Sequence, residues 1–192
     1  TLAGGHDFRL SALHVHHGLS PQADAWLAHC RRACDALGVP LEAVHVEVCR
    51  DAASGLEAAA RQARYAAFAK AEADWIVLAH QRDDQAETML FNLLRGAGPT
   101  GASAMPVARA FSGREGLRIL RPLLEVPRSA IARYASEHAL AWIEDESNRD
   151  IRHARNFLRQ AVLPLLRERF PGCDATLARA ATHFAEADTL LE

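Results

Sequence analysis

Short apolar segments alternate with longer helical segments along the chain, and this alternation constrains its fold more than any other feature. Strands are predicted at residues 10–16, 41–48 and 75–79. The third is a continuous apolar run, which is typical of a strand covered on both faces in a parallel sheet. Strands joined by helical crossovers form a doubly wound sheet with right-handed connections. The sequence therefore predicts an α/β fold with a parallel, doubly wound sheet.

Capping and breaking residues bound the predicted helices. Pro21 suits a first helical position, and the helical run that follows it ends at Gly38. Ser54 and Glu57 form an S-x-x-E capping box ahead of an alanine-rich helix that extends to about residue 73. A third helix is predicted at residues 83–95, directly after the third strand.

The second half of the chain begins with a stretch rich in Gly, Ser, Ala and Pro. This stretch, residues 96–116, predicts a mobile loop, and residues 117–120 predict one more short strand. Helices are then predicted at 127–138, at 151–169 with an internal Pro164, and from about residue 174. The sheet is therefore expected to carry a C-terminal helical extension.

The composition excludes several classes of protein. The 192-residue chain carries a net charge of −2, which excludes a globally basic nucleic-acid coat. No apolar run approaches the roughly 20 residues of a membrane-spanning helix, so a spanning protein is excluded, and we expect no membrane partner. The cysteines, at positions 30, 34, 49 and 173, form neither a zinc ribbon nor a C-x-x-C motif. They favour reduced, mostly buried thiols in a cytoplasmic protein.

The strongest local signal is A-H-Q-R-D-D-Q-A-E-T at residues 79–88, where the third strand meets its helix. Ligands of open parallel sheets bind at the carboxyl ends of strands, so this position suits a site. Its polar side chains fall within about a 100° arc of one helix face; they are His80, Asp83, Asp84 and Glu87. Such a group can hold a divalent cation, accept protons or bind an ammonium group. Helix capping is the alternative, and it explains one acid but not four polar groups.

A histidine cluster lies at the end of the first strand. His14 and His16 share one strand face and His17 lies on the other, so one metal ion reaches all three only if the strand bends. We favour a different interpretation, in which the turn at His17 and Gly18 brings backbone close to a ligand at the edge of the sheet.

A run of arginines follows the D-E-S-N segment at residues 145–148. Arg152, Arg155 and Arg159 are spaced three and four apart, so one helix face is predicted to carry three guanidinium groups. Solvated surface charge and binding of phosphate or carboxylate explain this run equally well.

Taken in order, these segments resemble the tRNA(Ile)-lysidine synthetase family, which belongs to the PP-loop, or N-type, ATP pyrophosphatases. The match covers nearly the whole chain. Its pieces are H-V-H-H-G-L-S at 14–20, E-A-A-A-R-Q-A-R-Y at 57–65, the 79–88 segment, L-L-R-G-A-G at 93–98, R-P-L-L at 121–124, D-E-S-N at 145–148 and R-N-F-L-R at 155–159.

The resemblance implies an adenine nucleotide alpha hydrolase-like fold and a ligase that uses ATP and Mg²⁺. Its substrates would be free L-lysine and a tRNA(Ile) with a CAU anticodon. ATP would adenylate the C2 oxygen of the wobble cytidine and release pyrophosphate, and the lysine ε-amine would then displace AMP to give lysidine. A cytoplasmic location and a homodimer are compatible with the resemblance.

The resemblance also implies roles for individual residues. The predicted catalytic residues are Asp83, Asp84 and Glu87, with Asp84 also near a metal ion. The predicted lysine-binding residues are Asp84, Glu87 and Arg155. The predicted nucleotide-binding residues are His17, Gly18, Arg61 and His80. The predicted tRNA-binding residues are Arg149, Arg152 and Arg159.

One departure from the family concerns the nucleotide-binding signature S-G-G-x-D-S, which this sequence lacks. The glycines at positions 4 and 5 are no substitute, because no apolar strand precedes them. We therefore expect the chain to be an N-terminally incomplete part of a longer protein and inactive alone. Residues 1–125 are predicted to form the nucleotide-binding α/β domain, and residues 126–192 the helical extension that contacts substrate and tRNA.

Three other functions remain open at this point. The first is another tRNA-modifying enzyme such as a thiolase, although such chemistry commonly relies on paired cysteines, which the chain lacks. The second is a metal-dependent hydrolase built from His80, Asp83, Asp84 and Glu87. The third is a non-catalytic RNA-binding fragment that uses the arginines at 149–159.

Overall fold

The computed structural model describes residues 8–49 and 55–191. Residues 4–7 and Ser54 of the predicted capping box lie outside these ranges. The chain forms two compact units, Thr1–Ala73 and Asp74–Glu192, which are called the N-terminal and C-terminal units below. The predicted boundary after residue 125 divides the chain by role and stays a prediction. No helix among the described residues has the length and apolar character needed to cross a membrane.

The N-terminal unit has a β-α-β-α order. Strand β1 (Ala12–His16) precedes helix α1 (Ala23–Leu37), and strand β2 (Leu41–His45) precedes helix α2 (Leu56–Lys70). The two strands pair in parallel, from Ala12 opposite Leu41 to His16 opposite His45. The predicted parallel pairing is thus confirmed, and Gly38 ends α1 in a left-handed conformation with φ 64°.

The C-terminal unit contains a three-stranded sheet. Its strands are β3 (Trp75–Val77), β4 (Ala108–Ala110) and β5 (Arg118–Leu120), in the order β3-β5-β4. Strands β3 and β5 are parallel, and β4 is antiparallel to β5. The prediction that β3 is covered on both faces is wrong, since Val77 is 56% exposed. Among the described residues this strand lies at the edge of its three-stranded sheet, where it pairs with β5.

Helices cover the remaining chain of this unit. They are α3 (Arg82–Leu94), α4 (Pro99–Ala102), α5 (Arg128–Glu137), α6 (Ala154–Phe157), α7 (Leu163–Arg169) and α8 (Cys173–Leu191). A short 3-10 helix spans Glu146–Arg149. Helix α3 packs against α4 and α8, and the fully buried side chains nearby include Ala86 and Ala181. The predicted C-terminal helical extension is confirmed.

The predicted mobile loop at residues 96–116 is wrong in part, because it contains α4 and β4. Side chains of α3 organise this segment by pairing with its backbone. The Gln85 amide donates to the Met105 carbonyl and accepts from the Met105 N–H, at 2.8 and 3.0 Å. Asn92 donates to the Gly101 carbonyl at 2.8 Å. Backbone groups that would otherwise need water are therefore satisfied inside the unit.

The single helix predicted at 151–169 is also corrected. It is divided into α6, a turn of π-helix at Leu158–Val162, and α7. Pro164 has no N–H to donate to the Gln160 carbonyl, and its ring crowds that carbonyl. The wider turn relieves this conflict, with the Leu163 N–H bonded to the Leu158 carbonyl.

Candidate active site

The acidic N-terminal turn of α3 follows strand β3, as predicted, and its aspartates contact backbone groups. Asp84 accepts a hydrogen bond from the Gln81 N–H at 3.0 Å and so caps the helix. Asp83 accepts from the N–H of Arg128, the first residue of α5, at 2.9 Å. Capping therefore explains one oxygen of each aspartate. The other oxygens and Glu87 face arginine side chains.

Arg159 forms a forked pair with Glu87. Its Nε donates to one carboxylate oxygen at 2.7 Å and its Nη2 to the other at 2.8 Å. The Glu87 side chain is only 3% exposed. The Nη2 of Arg159 also lies 3.5 Å from the Asp84 Oδ1. The hydrogen bonds to Glu87 raise the pKa of Arg159, so this guanidinium stays charged.

Arg167 forms a second forked pair, with Asp174 at the start of α8. The Arg167 Nε and Nη2 donate to the two Asp174 oxygens at 2.7 and 2.9 Å. The same Nη2 lies 3.5 Å from the Asp83 Oδ1. The Asp174 carboxylate raises the pKa of Arg167. The first turn of α3 is thus tied to α5, α7 and α8 through Asp83.

We expect Arg167→Met to destabilise the C-terminal unit by about 1–2 kcal/mol, because Asp174 and Asp83 lose a shared counter-charge in a half-buried setting. Chemical denaturation followed by circular dichroism measures this loss. Arg133→Met is the matched control, since the Arg133–Glu137 pair is exposed and its atoms are 3.9 Å apart. The control should change the free energy of unfolding by less than about 0.5 kcal/mol. Equal effects of the two substitutions would contradict the role given to Arg167.

Arg155 lies one turn before Arg159 and contacts a ring instead of an acid. Its guanidinium carbon is 5.4 Å from the centre of the Phe91 ring, which also faces Arg95 at 5.2 Å. Within the described ranges no acidic side chain pairs with Arg155. Arg155 is therefore available to a carboxylate ligand, and its predicted role toward lysine stays a prediction.

His80 follows β3 and is held by Arg121, which sequence analysis did not assign to the site. The Arg121 Nε donates to the His80 Nδ1 at 3.2 Å, and the Arg121 Nη1 donates to the Pro106 carbonyl at 2.8 Å. Arg121 is only 3% exposed. Since Nδ1 accepts this hydrogen bond, the tautomer of neutral His80 carries its proton on Nε2. The R-P-L-L match at 121–124 was the only sequence signal for this contact.

The other predicted nucleotide-binding residues lie in the N-terminal unit. His17 and Gly18 follow β1, and Gly18 has φ 62°, a left-handed conformation that suits a tight turn. Burial, and then the charge of Arg64, lower the pKa of His17. Arg61 lies on α2 with its guanidinium carbon 4.6 Å from the centre of the Tyr65 ring. Their joint role with His80 stays a prediction.

The histidines of β1 form ring contacts with β2. The His16 and His45 ring centres are 4.6 Å apart, and the His16 Nε2 lies 3.0 Å from the Asp24 Oδ1. Burial, and then His16, lower the pKa of His14. In the part of the chain that the structure describes, no group of three or more His, Cys, Asp or Glu residues is arranged to hold a metal ion. A metal site built from His14, His16 and His17 is therefore not supported.

The predicted face of three arginines on one helix is wrong, because Arg152 precedes α6. Asp150 accepts from the Arg152 N–H at 3.0 Å and from its Nη2 at 2.6 Å. The Arg152 hydrogen bonds lower the pKa of Asp150 to about 2. The Arg149 Nη2 lies 3.3 Å from the Glu144 Oε2. The Arg149 and Arg152 side chains are 79% and 88% exposed, whereas Arg159 is 30% exposed and faces the acids of α3.

Comparison with known proteins finds a family model and close relatives. The model of the PP-loop domain matches residues 2–166. A tRNA(Ile)-lysidine synthase of Aromatoleum aromaticum is 56% identical over 185 residues, which are 96% of this chain and 43% of that protein. A tRNA(Ile)-lysidine synthase of Xanthomonas axonopodis pv. citri is 54% identical over 184 residues, which are 95% of this chain and 41% of that protein.

A solved structure has the same fold. The U34-tRNA thiolase NcsA from Methanococcus maripaludis, solved with its 4Fe-4S cluster, matches with a TM-score of 0.70 and 15% sequence identity. The match covers 93% of this chain and 62% of that chain. At this identity it supports the predicted α/β fold. The chain spans about two fifths of the length of the curated relatives named above.

Proposed function

The chain belongs to the PP-loop domain family, and from this premise we propose that it is the catalytic part of a tRNA(Ile)-lysidine synthetase. The observation that carries the proposal is identity of 56% with a curated tRNA(Ile)-lysidine synthase over 96% of the chain. The substrates are ATP, free L-lysine and a tRNA(Ile) with a CAU anticodon. We place the reaction in the cytoplasm, and a homodimer stays a prediction.

The reaction has two steps. In the first, the C2 oxygen of the wobble cytidine attacks the α-phosphorus of ATP, and the bond to pyrophosphate breaks. In the second, the neutral ε-amine of lysine attacks C2, the C2–O bond breaks, and AMP leaves with that oxygen. The amine loses a proton as the new C–N bond forms, so the site must both attract an ammonium group and release its proton.

The acidic turn of α3 supplies the negative charge for the lysine amine. Asp84 and Glu87 lie one turn apart on the same helix face. Arg155 is our candidate for the lysine carboxylate, because guanidinium groups bind carboxylates through two parallel hydrogen bonds. The Arg155 guanidinium is positioned by its contact with the Phe91 ring, and no acidic side chain in the described residues pairs with it. Asp83 helps to hold this turn against α5.

The nucleotide side is proposed to include His80, with His17, Gly18 and Arg61. His80 is proposed on its position after β3, where the Arg121 contact at Nδ1 orients its ring. Arg61 adds a positive charge that is already positioned by Tyr65.

Mg²⁺ fits Asp84 as a single carboxylate ligand. Mg²⁺ is commonly held by one or two carboxylates together with substrate phosphates and water, so a larger cluster of acids is not required. Asp84 uses Oδ2 as a helix cap, and Oδ1, which lies 3.5 Å from the Arg159 Nη2, is the oxygen that would meet the ion. When bound, the ion would neutralise phosphate charge.

The tRNA phosphates are proposed to meet Arg149 and Arg152. Their present partners, Glu144 and Asp150, form pairs on the protein surface, where both arginine side chains are largely exposed. Such pairs contribute little free energy, so phosphate oxygens can replace them. The Arg159 guanidinium differs, since it faces Glu87 and Asp84. Its predicted tRNA contact stays a prediction.

The competing functions have less support. Against a thiolase, burial raises the pKa of the Cys30 and Cys173 thiols, which lowers the thiolate fraction of these two cysteines. A hydrolase that binds its metal through His80, Asp83, Asp84 and Glu87 needs these groups to converge. Each of them instead has a contact with an arginine.

The test is AMP and pyrophosphate formation by the purified native gene product. We expect AMP formation from ATP to require both lysine and the tRNA. Formation of AMP without lysine would favour hydrolysis, and tRNA binding without AMP formation would favour the RNA-binding alternative. Replacing lysine by leucine is the control, and it should give no AMP above background.

A further inference from the structure

Among the ion pairs formed by Asp83, Asp84 and Glu87 of α3, the Arg159–Glu87 pair contains the most buried carboxylate. Both Glu87 oxygens accept from the guanidinium, at 2.7 and 2.8 Å, and the carboxylate side chain is 3% exposed. Asp84 differs, since its side chain is 23% exposed and its Oδ1 lies 3.5 Å from Arg159, beyond hydrogen-bond length. The two acids of the predicted lysine site are therefore not equivalent.

Asp84, Glu87 and Arg159 together carry one net negative charge. Glu87 forms the closer pair with the guanidinium, and Asp84 lies 3.5 Å from the same group. Opening the fork would leave a buried carboxylate without its counter-charge, and breaking such a pair is strongly unfavourable. An incoming ammonium group therefore meets Asp84 more readily than Glu87.

A turn of π-helix positions Arg159 for its contact with Glu87. Arg159 lies in the π-helical turn Leu158–Val162, which precedes Pro164. Arg155 contacts Phe91 while Arg159 contacts Glu87, so the helix segment runs antiparallel to α3. Turns of π-helix occur frequently at functional sites, where the wider turn redirects a side chain.

On the premise of the proposed function, we propose that Arg159 is a positioning residue of the amine site. Its guanidinium holds both oxygens of Glu87 and leaves Asp84 as the carboxylate that meets the substrate ammonium group. In this arrangement Glu87 binds Arg159, and lysine contacts Asp84 and not Glu87. This division deepens the proposed function, in which the two acids were not distinguished.

The test is the pH dependence of lysine binding, measured by calorimetry between about pH 6 and pH 8.5, where the lysine ε-amine stays protonated. In Arg159→Met the buried carboxylate has no counter-charge, and burial without a counter-charge favours the protonated form of a carboxylic acid. As the pH rises it ionises and adds negative charge beside Asp84. Lysine affinity should therefore increase about three- to tenfold across this range.

Four further proteins make the test specific. The wild type and Arg159→Lys keep a cation beside Glu87, so their lysine affinity should vary less than twofold over the same range. The double variant Glu87→Gln with Arg159→Met removes the titrating group and should lose the pH dependence of the single variant. Arg159→Gln is a second neutral variant with the same expectation as Arg159→Met.

Several results would overturn the inference. One is lysine affinity of the neutral variants that does not respond to pH. Another is pH dependence that persists in the double variant. A third is further loss of lysine affinity at about pH 6, by tenfold or more, when Glu87→Gln is added to Arg159→Met, which would mean that Glu87 contacts lysine directly. Absence of lysine binding by the wild type would instead overturn the proposed function together with this inference.

Discussion

Asp84→Asn should reduce lysine transfer to the tRNA by at least about 100-fold, the largest effect expected of any single substitution here. The asparagine oxygen can still accept from the Gln81 N–H, so the cap of α3 and the fold are retained. What is lost is the negative charge that meets the lysine ammonium group and contributes to Mg²⁺ binding. Lysine-dependent AMP formation and tRNA binding should be measured on the same preparation.

Glu137→Gln is the control for this substitution. Glu137 is an exposed acid of α5, 3.9 Å from Arg133 and outside the proposed site. We expect its activity to stay within about twofold of the wild type. The Asp84 variant should bind tRNA as the wild type does. Full lysine transfer by Asp84→Asn would contradict the assignment of the acidic turn to the amine.

Arg155→Ala should raise the KM for lysine by about 30- to 100-fold and leave the affinity for tRNA unchanged. The lost contact is a charge-assisted pair with the lysine carboxylate, which is made in the ground state and in the transition state alike. At saturating lysine, kcat should therefore change little. Initial rates at varied lysine concentration, with tRNA binding measured in parallel, separate the two effects.

Arg95→Ala is a matched control, because Arg95 also faces the ring of Phe91 and has no assigned role toward lysine. It should leave the KM for lysine within about twofold of the wild type. Weakened tRNA binding with an unchanged KM for lysine in Arg155→Ala would show that Arg155 belongs to the tRNA surface.

The local features of the fold could be predicted from the sequence. Apolar runs separated by helical segments indicated the strands at Ala12–His16 and Trp75–Val77, and Gly38 marked the end of α1. The position of the acids after a parallel strand identified the candidate site, because strand direction fixes which end of a sheet binds ligands. These signals act over a few residues, which is why a single sequence contains them.

The contacts that organise the site depend on packing between distant segments. Glu87 and Arg159 are 72 residues apart, and nothing in the local pattern of either indicates the other. The arginine spacing therefore suggested one shared helix face, whereas Asp150 holds Arg152 outside α6 and Arg159 lies in a π-helical turn. The regular structure within residues 96–116 also depends on a distant segment, because the Gln85 side chain of α3 forms two hydrogen bonds with the backbone of Met105.

The mass of the wobble nucleoside tests the central claim most directly. The native gene product is incubated with ATP, lysine and a tRNA(Ile) with a CAU anticodon, and the tRNA is digested for mass spectrometry. The proposed function predicts that the wobble cytidine gains the mass of lysine less one water, only when ATP and lysine are both present. An unchanged cytidine, or the appearance of a thiolated nucleoside, would contradict it.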